Sequence, residues 1–243
     1  MRKIIRKIIS LNKKKWRHQY DEMLKKSTVG EKFKLIYEKN LWRNAESLSG
    51  SGSTLKFTRK IRESLPELVS KLKISSIFDA PCGDFNWMKH AIQTIDVNYI
   101  GADIVEELIQ ENIKRYSARK IQFRQLNLIE DYFPEADMMI CRDCLFHMSF
   151  KDALKILTNF LESEISYIYT TTYNKPESFT NMDINTGDFR AIDLRKFPYS
   201  FPEGDIFSVL DGKEGNTERH MTVWSKNQIF AAVHRMNENL GNL

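Results

Sequence analysis

Several apolar runs in this chain end in residues that can bind or transfer protons. IFDAPCGDF passes from an apolar run into Asp79, then Gly83 and Asp84. YIGADI ends near Asp103, 20 residues beyond Gly83. QLNL offers Asn127 and Leu128, and MMICRDCLFH ends in Arg142, Asp143 and His147. An acidic side chain about 20 residues past a glycine turn can accept hydrogen bonds from ribose hydroxyls. A second carboxylate in the turn, Asp84, would repel the phosphates that a helix N-terminus otherwise attracts, and G-x-G-x-x-G is absent. The pattern suits a ligand carrying a ribose and a cationic amine. Asp143 or His147 could act as a general base, and the planar fork of Arg142 could orient an acidic or phosphorylated group.

These residues need a scaffold that lines them up, and the hydrophobic pattern supplies one. SSIFDA, NYIGADI, IQFRQLNL, ADMMICRD and SYIYTTTY read as strands. Between them lie helical patterns: one from about Phe85 carrying Trp87, Met88, Ala91 and Ile92; one through Val105, Leu108, Ile109, Asn112, Ile113 and Tyr116; and one capped by Ser149 with Ala153, Ile156, Leu157, Phe160 and Leu161. Such alternation predicts a Rossmann-like α/β fold with a mostly parallel, seven-stranded sheet and helices on both faces. Ligands in these sheets bind beyond the carboxyl ends of the strands, where strand order reverses.

Upstream, Ile61, Leu65, Leu68, Val69 and Leu72 keep helical spacing, and Pro66 is expected to open a new helix with Ser64 near its cap. SLSGSGST at 47–54 reads as a loop. Residues 174–218, with Pro176, Pro198 and Pro202, read as a long irregular excursion before a last strand near RHMTVW and a helix using Ile229, Phe230, Val233 and Met236.

The 243 residues are 42% hydrophobic, enough for one substantial core. No apolar run is long enough to span a membrane, and no secretion signal is apparent, which points to a cytoplasmic protein. Residues 1–26 hold ten Lys and Arg against Asp21 and Glu22, a net of +8; the whole chain is at +5, so residues 27–243 carry −3. Ile4-Ile5 and Ile8-Ile9 among these cations predict a basic amphipathic extension. It could touch the anionic inner face of a membrane or a protein partner, or pack its isoleucines on the domain. A mildly acidic domain disfavours nucleic acid as the main ligand. Cys141-x-x-Cys144-x-x-His147 has metal-like spacing, but strand alternation puts Cys141 inside the sheet, so no metal is expected.

DAPCGD at 79–84, GADI at 101–104 and the Asp137 to Asp143 segment resemble the cofactor-side motifs of class I S-adenosylmethionine-dependent methyltransferases. A closer resemblance, over residues 35–225, is to a little-characterised bacterial branch associated with surface-polysaccharide synthesis. ESLSGSGST, NMDINTGDFRAIDL and FPYSFP carry it. Ala80, Pro81 and Cys82 depart from the usual glycine-rich turn.

The resemblance implies S-adenosyl-L-methionine as cofactor. Asp79, Gly83 and Asp84 would shape the methionine end, Asp103 would bind the ribose, and Asn127 and Leu128 would lie beside the adenine. Trp42 and the loop from Ser49 and Gly50 to Thr54 would form a lid within a helical region at 27–73, with Arg142 on the same rim. Asp183, Asn185, Arg190 and Asp193, in the 174–218 insertion, would face a small-molecule or glycan acceptor. Plainer roles compete: Asp79 and Asp103 as helix caps, Trp42 as core, 49–54 as a linker, Arg142 with Asp143 as a local ion pair, and 183–193 as a self-satisfied lid. The expected activity is O-methylation of a sugar, nucleotide-sugar or glycan precursor. The alternatives are RNA methylation and a cofactor-binding partner subunit without turnover.

Overall fold

A computed structural model describes residues 27–42, 44–214 and 217–241. The basic extension expected at 1–26 lies outside the described residues. The described elements run as α1 (Val29–Glu38), α2 (Arg59–Leu72), β1 (Ser76–Asp79), α3 (Met88–Ala91), β2 (Asn98–Asp103), α4 (Glu106–Tyr116), β3 (Ile121–Gln125), β4 (Met138–Cys141), α5 (Phe150–Glu162), β5 (Tyr167–Tyr173), β6 (Phe207–Glu214), β7 (Thr217–Ser225) and α6 (Lys226–Gly241). Three-residue 3₁₀ turns sit at Ser51–Ser53, Ile92–Thr94 and Leu145–His147.

The seven strands form one sheet in the order β3-β2-β1-β4-β5-β7-β6. β3 to β5 are parallel, whereas β7 pairs antiparallel with both β5 and β6, so the sheet is mixed. Alternation along each strand divides the core. Phe78, Met139 and Ile168 pack towards α5 and α6, while Ile77, Met138 and Tyr169 pack towards α2, α3 and α4. The reversal of strand order between β1 and β4 opens a crevice at their carboxyl ends.

Local chemistry accounts for the helix ends. Thr28 caps α1 through a reciprocal capping box with Glu31, and Ser149 caps α5 by accepting from the Asp152 amide. Four expectations require correction. Pro66 lies inside α2, and Ser64 donates to the Ile61 carbonyl rather than capping a second helix. Full burial of Ile61, Leu65 and Leu68 on one stripe outweighs the backbone bond that proline removes. The helix expected from Phe85 is only α3 followed by a 3₁₀ turn, because Phe85 is left-handed at φ 57°. Residues 207–214, read as part of an irregular excursion, are strand β6. Phe230 is 66% exposed, one step off the buried stripe of Ile229, Ala232, Val233 and Met236.

Candidate active site

The turn after β1 is held from both sides by main chain. Ala80 N donates to the Ile140 carbonyl at the end of β4, and Cys82 N donates to the Ala102 carbonyl in β2. Gly83 follows at φ 56°, where an added Cβ would stand 2.1 Å from Ser49 Oγ. Here glycine is required twice, by its left-handed backbone and by the close approach of the 47–49 loop. Gly83 N donates to Asp103 Oδ2 (3.2 Å), and Val105 N donates to Asp103 Oδ1 (3.1 Å). Asn112, a polar residue on the apolar stripe of α4, reaches the Gly83 carbonyl at 2.8 Å.

The crevice is a cavity of about 760 Å³ including its open mouth. Gly83, Asp103, Asn127 and Leu128 line one side, and Asp143 and His147 line another. Val29, Phe33 and Tyr37 of α1, with Trp42, Leu48 and Ser49, close over it. Eight of the residues singled out from sequence therefore meet in one place: Trp42, Ser49, Gly83, Asp103, Asn127, Leu128, Asp143 and His147. Within the helical lid region expected at 27–73, no residue of the α1 face was singled out, since a short amphipathic helix gives no hint of which of its side chains meet a crevice.

The remaining candidates are adjacent or elsewhere. Asp84 does not line the cavity: its carboxylate accepts from Ser47 Oγ (3.0 Å), Leu48 N (2.8 Å) and Ser49 Oγ (3.3 Å), clasping the loop above the site. Gly50, at φ 90°, packs its backbone against Trp42. Asp79 is buried beneath the turn and accepts from Tyr99 Oη at 2.7 Å. Arg142 is also buried. It donates to the Gly52 carbonyl (2.7 Å) and pairs with Asp143 (3.2 Å) and Asp211 (3.1 Å). Arg219 completes a four-charge ring, reaching Asp143 at 3.3 Å and Asp211 at 2.8 Å. Sequence reasoning missed Asp211 and Arg219, because Asp211-Gly212 resembles a turn.

The expected convergence of Asp183, Asn185, Arg190 and Asp193 does not form; none of the four lines the cavity. Asp183 accepts from the Phe150 and Ile184 amides. Arg190 is buried and donates to the Met148 carbonyl (2.6 Å) and Tyr199 Oη (2.7 Å). Asp193 is buried, accepting from the Lys175 and Arg195 amides. Asn185 is exposed. The chain folds Arg190 and Asp193 inward to satisfy its own backbone and Tyr199, as buried polar groups require.

The same segment nonetheless reaches the site through main chain. Gly187 N donates to the His147 carbonyl (2.8 Å) and Arg190 N to the Phe146 carbonyl (3.1 Å). His147 Nδ1 lies 2.7 Å from the Asp188 carbonyl, so in the neutral ring Nδ1 carries the proton and Nε2 the lone pair. Burial lowers the His147 pKa, with the Asp188 carbonyl and Asp143 opposing it in part. Burial pushes Asp143 up, but Arg142, Arg219 and the Thr171 hydroxyl outweigh it and leave the carboxylate more acidic than usual. Of the two base candidates, His147 is thus the more basic in its working form. Burial also raises Asp103 to about 6 against the Val105 and Gly83 amides, and Asp79 to about 7 against Tyr99 and Arg142.

The residues fit an amine and a ribose. Asp103 keeps lone-pair capacity beyond its amide bonds, the Gly83 cradle admits close backbone approach, and the described lining contains two carboxylates but no Lys or Arg.

No protein-family model matches the chain, and no curated protein does. Its fold is nevertheless that of solved methyltransferases. It is similar to magnesium protoporphyrin IX methyltransferase (ChlM) from Synechocystis PCC 6803 with bound SAM, at TM-score 0.51 and 13% identity, over 81% of this chain and 97% of that one. It is similar to the N-terminal domain of EvdMO1 in the presence of SAH and D-fucose, at TM-score 0.50 and 10% identity, over 69% and 83%. It also resembles PigF with SAH, at TM-score 0.51 and 12% identity, over 70% of this chain and 56% of that one.

Proposed function

We propose that the protein is an S-adenosylmethionine-dependent methyltransferase that methylates a hydroxyl on a sugar, nucleotide-sugar or glycan precursor. The observation that carries this reading is the join of Asp103 to the Gly83 turn at the point where strand order reverses, within a cavity whose described lining holds carboxylates and no Lys or Arg. The similar structures support it by fold, and the SAM, SAH and D-fucose they were solved with are of the expected kinds.

When bound, S-adenosylmethionine supplies an electrophilic methyl group on a sulfonium. Asp103 would accept hydrogen bonds from ribose hydroxyls, and a described lining with this carboxylate and no Lys or Arg suits a cationic ligand. Asn127 and Leu128 wall the cavity beyond β3, where a flat base would lie. α1 and the Asp84-held loop cover part of the cavity. His147, with Nδ1 committed to the Asp188 carbonyl, offers Nε2 to take the proton from an acceptor hydroxyl. Asp143 then stabilises the imidazolium that forms, through the attraction already present between the two groups.

The test is to incubate the full chain with methyl-labelled S-adenosylmethionine and separate pools of nucleotide sugars, glycan precursors and RNA. Label in a sugar hydroxyl is expected. Label confined to RNA, or cofactor binding with no transfer to any pool, would overturn the acceptor reading.

A further inference from the structure

We infer that the acceptor enters as an uncharged sugar ring lying against Trp42 and Phe189, with one hydroxyl presented to His147 Nε2. The inference rests on the methyltransferase reading and adds a binding face and a charge rule to it.

The face is aromatic and open. Trp42 is 40% exposed with its ring centroid 6.1 Å from that of His147, and Phe189 is 50% exposed at 5.8 Å from the same imidazole. Phe146, buried behind them, contacts both His147 (4.6 Å) and Phe189 (5.3 Å) and fixes the pair from below. The other described tryptophans, Trp87 and Trp224, are buried, as is usual for so large a side chain in the body of a fold. Two large exposed rings flanking one candidate base mark a binding surface. Main-chain bonds hold that surface in place, since Gly187 and Arg190 fasten the segment carrying Phe189 onto the turn carrying His147. The negative face of an aromatic ring attracts the C–H face of a sugar. Exposed Asn185 and Asp188 beside Phe189 offer partners to its other hydroxyls, which a plain aryl ring would leave unused.

The charge rule follows from which groups are available. Among the described residues no Lys or Arg lines the cavity, while Asp103 and Asp143 do. Arg142 and Arg219 are buried among their own carboxylates, and Arg190 is buried on Met148 and Tyr199. Lys32 reaches this segment but donates to the Thr186 carbonyl at 3.0 Å. Among the described residues of the lining, a phosphate or carboxylate on the reacting ring would meet the Asp103 carboxylate and no Lys or Arg.

The experiment measures methyl transfer by the full chain at low ionic strength to methyl glycosides, to the matching sugar 1-phosphates and uronates, and to simple phenols, after S-adenosylhomocysteine binding has been established by calorimetry. Neutral glycosides are expected to exceed their charged counterparts at least tenfold in kcat/KM. Phe189→Ala should raise the glycoside KM about five- to tenfold with kcat and S-adenosylhomocysteine affinity within about twofold, and Phe189→Tyr should restore it. With S-adenosylhomocysteine bound normally, a preference for charged sugars or phenols, transfer to none of the glycosides, or an unchanged KM in Phe189→Ala would overturn the inference alone. Failure to bind S-adenosylhomocysteine would overturn the underlying reading as well.

Discussion

His147 Nδ1 lies 2.7 Å from the carbonyl oxygen of Asp188, a contact that spans 41 residues of chain. It assigns the ring proton to Nδ1 and the lone pair to Nε2, because a carbonyl can only accept. The same segment donates amides back to the Phe146 and His147 carbonyls, so the turn carrying the imidazole is tied to one loop by three hydrogen bonds, one of them through the ring. Its charged neighbour, Asp143, is held ionised by Arg142 and Arg219 and is poorly suited to take a proton.

Replacing His147 with Gln should therefore lower kcat by about 10² to 10⁴ while S-adenosylhomocysteine affinity changes by less than about threefold. Because burial lowers the His147 pKa, the wild-type rate should rise with pH through a midpoint below about 6.5, and the variant's profile should lose that step. Steady-state kinetics between pH 5 and 8 would check both.

Gly83→Ala should cost at least about 1 to 2 kcal/mol for a left-handed non-glycine backbone, with a further loss from the collision at Ser49 Oγ. Adding Ser49→Ala should recover the collision part but not the backbone part. Urea denaturation of the single and double variants separates the two.

Asp79 gives a pH prediction with an unusual sign. Its pKa rises from about 3.9 in an unfolded chain to about 7 on folding, so its contribution is fully present below about pH 4 and is lost as pH rises through 7. Asp79→Asn keeps an acceptor for Tyr99 and removes the buried charge. The variant should be more stable than wild type at pH 8 by roughly 1 to 3 kcal/mol, with the difference shrinking towards pH 5. Melting curves at the two pH values test this directly.

Asp211→Ala should destabilise by about 3 to 5 kcal/mol, because Arg142 and Arg219 would be left buried without their shared carboxylate. Asp211→Asn should lose nearly as much, since charge rather than shape is removed. A loss below about 1 kcal/mol in denaturant melts would contradict the closed-ring description.

Much of the scaffold was legible because it depends on local period. Alternating strands and amphipathic helices revealed the α/β layers, and the 20-residue interval from Gly83 to Asp103 placed both on one rim. What escaped was set by distant contacts. Asp211 pairs with Arg142 across 69 residues, from a strand disguised by a following glycine that sits at φ 125° beside a bulge. Asp84 was assigned to ligand because its carboxylate stood in a turn, yet the nearest donors belong to the 47–49 loop. Arg190 and Asp193 have the composition of a binding segment, but burial commits them to backbone and tyrosine partners. Asn112 was visible as the polar member of an apolar stripe, and that irregularity was the signal for its bond to Gly83.

The central claim, that this crevice binds S-adenosylmethionine through Asp103, is tested most directly by titrating S-adenosylhomocysteine into the full chain in a calorimeter, with Asp103→Asn alongside. Saturable one-to-one binding, weakened at least about tenfold in the variant while its melting temperature is retained, is the result predicted. No binding by the wild type, or equal binding by a folded Asp103→Asn protein, would contradict it.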